Sequence, residues 1–104
     1  MTDEGQGQRP VFLDAIGKLL EEGKSVAAYL YQVPDDKSQW ARLGQILDAI
    51  LKDPQAAKRH ELPRVAAELK ETLAQPPSIP AVELLQAGFD RLARSWQATK
   101  SGLF

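Results

Sequence analysis

The sequence predicts an all-α protein, an antiparallel bundle of four helices with room for a short fifth. Three observations carry that prediction. Apolar residues recur at three- and four-residue steps in four separate stretches, prolines or glycines punctuate the chain between those stretches, and no pair of strand-like segments is present to build a sheet. Hydrophobic residues make up 43% of the 104 and charged residues 26%, enough to bury one core and too few residues to divide between two. Residues 1–9 (MTDEGQGQR) read as a disordered N-terminal tail, and residues 10–104 as a single helical-bundle domain.

The first helix is predicted to open at Pro10, whose missing N–H costs nothing in a first turn, and to stop before Gly23, which suits the left-handed residue after a helix. Phe12, Ala15, Ile16, Leu19 and Leu20 form its apolar stripe. Residues 25–33 (SVAAYLYQV) contain strand-favouring side chains. With no second strand to pair with, a short helix capped by Ser25 is the expected form, and a strand-like arm is the alternative.

After the turn Val33-Pro34-Asp35-Asp36, the segment Ser38 to Lys52 places Trp40, Leu43, Ile46, Leu47, Ile50 and Leu51 at helical spacing. Asp53-Pro54 breaks it, because a residue before proline is pushed out of the helical region. Pro63 inside a helix begun at Pro54 would cost about 3 kcal/mol, so a short turn over 54–60 and a fresh helix near Glu61 is expected. That helix carries Leu62, Val65, Ala66, Leu69 and Leu73 and halts at Pro76-Pro77. The last begins around Pro80, aligns Leu85, Phe89, Leu92 and Trp96, and should end at Gly102. Gly44 and Gly88 lie inside helices, where close helix contact is the simplest reason for a glycine. Trp40 and Trp96 are in phase with their stripes and are expected in the core.

Composition narrows the function. A formal net charge of −1 gives no basic face for a nucleic acid. The longest apolar run, Val26 to Tyr31, falls far short of a membrane span, and neither an export signal nor a cysteine is present, so a cytoplasmic location is expected. Charge is uneven: residues 1–22 hold five acids against two bases, and residues 52–70 hold five bases against three acids. There is no glycine-rich phosphate loop, no cluster of metal ligands and no nucleophile beside a base. No cofactor or metal is expected, and the chain reads as non-catalytic. His60, the only histidine, stands at a helix start, and any histidine chemistry would depend on it alone. Tyr29, Tyr31 and the terminal Leu103-Phe104 are candidates for exposed apolar surface that marks a docking site or a homodimer contact.

The stretch RVAAELKETLAQPPSIPAVELLQAGFDRL, Arg64 to Leu92, resembles the second half of histidine phosphotransfer domains. The likeness is closest to the N-terminal phosphotransfer domain of chemotaxis histidine kinases, through the run Leu84-Leu85-Gln86-Ala87-Gly88-Phe89-Asp90-Arg91-Leu92. That family's motif is a histidine followed by leucine, lysine and glycine on an exposed helix face. Its best fit places Leu51 and Lys52 in the leucine and lysine positions, Ala49 in the histidine position and Asp53 in the glycine position. Alanine cannot take a phosphoryl group. A fit on His60 puts Leu62 in the leucine place but Pro63 and Arg64 in the lysine and glycine places.

The resemblance thus implies a degenerate phosphotransfer-like domain that keeps a binding surface without the chemistry; helical periodicity shared by unrelated bundles is the other source of the likeness. The leading reading is a non-catalytic helical adaptor that binds another protein, such as a response-regulator receiver or a kinase in bacterial two-component or chemosensory signalling. Its predicted surface is the solvent side of the Ser38–Lys52 helix around Asp48, Ala49 and Lys52. An active phosphotransfer protein using His60 and a structural homo-oligomer are the alternatives.

Overall fold

The computed structural model describes residues 3–58 and 61–100. Among the described residues five helices follow one another: α1 (Asp3–Gln32), α2 (Lys37–Lys52), α3 (Pro54–Ala57), α4 (Glu61–Leu73) and α5 (Ile79–Lys100). The four long ones form the all-α antiparallel bundle, and α3 is a single turn joining α2 to α4.

α1 departs from the sequence reading at both ends. It begins at Asp3, ahead of the expected start at Pro10. It also runs through Gly23 and takes in residues 25–32, so the expected stop and the separate short helix merge into one element. Gly23 ends nothing because it is a packing notch. A Cβ there would overlap the Phe89 ring, approaching Cδ1 and Cζ within 2.6 Å. The buried face of α1 is accordingly Ile16, Leu20, Val26, Ala27 and Leu30, while Ala15, expected in the stripe, is exposed.

Capping sets the remaining boundaries. Asp36 accepts hydrogen bonds from the Gln39 backbone N–H and the Ser38 hydroxyl, which starts α2 at Lys37. Asp53 sits in extended backbone before Pro54, closes α2 through its N–H to the Ile50 carbonyl, and offers its carboxylate to the Ala56 N–H. Pro63 lies in the first turn of α4, where its missing donor is harmless. Ser78 caps α5 by accepting from the Ala81 N–H at 3.2 Å. The Gly102 stop lies outside the described residues.

Neighbouring helices all run antiparallel, in the order α1, α2, α4, α5 and back to α1. The core they enclose is wholly apolar among the described residues. Its fully buried members include Phe89, Ile16, Leu20, Leu30, Leu43 and Ile46. Gly88 is a second notch, since a Cβ there would overlap Leu69, with Cδ1 and Cγ at 2.8 Å. Gly44 is not: a Cβ would meet Leu73 Cδ1 at an ordinary 3.8 Å.

Each of the four seams carries an ion pair on its outer rim. Glu22–Arg42 clasps α1 to α2, and Asp48–Lys70 clasps α2 to α4. Glu61 and Glu68 with Arg91 clasp α4 to α5, and Lys24–Asp90 clasps α5 to α1. All are solvent-exposed, so each contributes little to stability and more to fixing which helix lies beside which. Their carboxyls are nevertheless shifted. Arg42 hydrogen bonding holds Glu22 below its ordinary pKa, Lys70 does the same for Asp48, and Arg64 with Arg91 for Glu61. A carboxyl depressed in the folded state stabilises above its unfolded pKa and loses that contribution as pH falls through the folded value. Thermal midpoints should therefore be flat near neutrality and fall below about pH 5, with a shallower fall in Glu22→Gln and Asp48→Asn. A midpoint independent of pH down to about 2 would remove these pairs from the account.

Candidate functional site

The residues singled out from the sequence do not form one surface. Asp48, Ala49 and Lys52 lie near the C-terminal end of α2, where Asp48 is engaged by Lys70, and Ala49 and Lys52 are exposed. Tyr29 and Tyr31 lie at the opposite end of the bundle, beside the α1–α2 turn, roughly 20 Å away along the helix axis. Nor do the two tyrosines belong together. Two residues apart on a helix they project about 200° from one another. The Tyr29 hydroxyl donates to Asp36 Oδ2 at 2.7 Å, which holds the tyrosine above its ordinary pKa and ties it to the turn. Tyr31 is 45% exposed. His60 and Leu103-Phe104 fall outside the described residues.

The tryptophans divide. Trp40 is partly buried against the core and donates its indole N–H to the Pro34 carbonyl at 2.8 Å, which secures the α1–α2 turn. Trp96 is 4% exposed, and its Nε1 has no hydrogen-bond partner among the described residues. A buried donor left unmatched costs on the order of 1–3 kcal/mol. It stands out in a protein whose described interior otherwise contains no polar side chain.

Trp96 helps line an open groove of about 1000 Å³ between α1 and α5. Gly17, Leu20, Ala93 and Trp96 make its apolar floor, and exposed Lys18, Glu21 and Lys24 on α1 face Asp90 and Arg94 on α5 across it. The Lys24–Asp90 pair, at 3.5 Å, ties the two rims. A Cβ on Gly17 would lie 3.6 Å from Trp96 Nε1, an ordinary contact distance.

In the sequence Gly17 sits inside a regular apolar stretch, which gives it no distinguishing pattern. The signal was its residue type. Glycine in a helix interior costs roughly 1 kcal/mol relative to alanine, and unlike Gly23 and Gly88 this one is not required by a close neighbour. Gly17→Ala is therefore expected to raise stability by about 0.5–1 kcal/mol in urea unfolding. A loss of stability would show that the space beside Trp96 is already filled.

Chemically the groove offers an apolar floor, one unmatched N–H donor and mixed charges. No three His, Asp or Glu side chains converge as metal ligands among the described residues, and no helix there is long and apolar enough to cross a membrane. No known family model matches the chain, and no curated protein or solved structure matches it either.

Proposed function

We propose that the chain is a non-catalytic adaptor whose α1–α5 groove takes a segment of another protein. The observation that supports this is the conjunction at Gly17 and Trp96: a helix-interior glycine whose added Cβ would meet only ordinary contacts among the described residues, opposite a buried indole N–H with no hydrogen-bond partner among them. The unmatched indole donor is a cost to the free protein that a partner's hydrogen-bond acceptor would recover. A setting in bacterial two-component or chemosensory signalling rests on the phosphotransfer-like resemblance alone. Exposed Ala49 stands where that family carries its histidine, in keeping with binding without phosphoryl transfer.

The test is a comparison of proteins retained from a lysate of the source cell by the natural chain and by Gly17→Leu, whose side chain would fill the groove. A partner held by the first and lost by the second, with Tyr31→Ala retaining it, is the expected outcome. Identical retention by Gly17→Leu would remove the groove from function. Far-UV circular dichroism of the variant checks that it stays folded.

A further inference from the structure

We draw no further inference here: the strongest candidate, the exposed apolar patch of Tyr31 and Val33 beside the α1–α2 turn, carries none, because nothing in the structure shows what covers it.

Discussion

Phe89→Ala is expected to destabilise the protein by about 3–5 kcal/mol, the usual cost of deleting a buried aromatic ring and leaving a cavity. The ring is fully buried on α5 and lies against Gly23 of α1. Against a total stability of about 5–15 kcal/mol for a domain of this kind, that loss is a large fraction of what holds the chain folded. Urea unfolding followed by circular dichroism measures it. A cost under about 1 kcal/mol would mean that the ring is not the wedge between α1 and α5 that its position implies.

The second large effect is Gly23→Ala, and its sign is the informative part. In an open helix the change would stabilise by about 1 kcal/mol. Here the added methyl collides with the Phe89 ring, whose rigid edge cannot fold away as the end of a flexible side chain could, so a net loss of about 1–3 kcal/mol is expected. Combining it with Phe89→Leu should relieve the collision, so that the pair costs less than the sum of its parts. Strict additivity would separate the two residues. The contrast with Gly17→Ala is the sharpest comparison, because the same substitution in the same helix, six residues away, is expected to have the opposite sign.

The fold was legible in the sequence wherever periodicity and capping spoke together. Leu43, Ile46, Leu47 and Ile50 are buried as their spacing requires, Pro63 falls in a first turn, and α5 buries Leu85, Phe89, Leu92 and Trp96. Gly23 misled because a glycine that ends a helix and one that admits a neighbouring ring look alike in one dimension; Phe89, 66 positions on, makes the difference. The candidate site was less legible for the same reason. The groove is built from residues on the first and last helices, and no local pattern joins Gly17 to Trp96. The tyrosines and the Asp48–Lys52 face were each visible as exposed, but the distance between them was not.

The ring of antiparallel neighbours also bears on how the chain folds. Three of its seams join helices adjacent along the chain, α1 to α2, α2 to α4 and α4 to α5, across short connections, so their contacts can form quickly and nearly independently. The fourth, α1 to α5, must bring together residues some seventy positions apart, such as Lys24 and Asp90, and carries most of the loop-closure entropy. Docking of α5 onto α1 is therefore the natural late step, and its reversal the natural first opening of the native state. Amide protons of α5 facing α1 should exchange by a lower-energy opening than those of α2 facing α4.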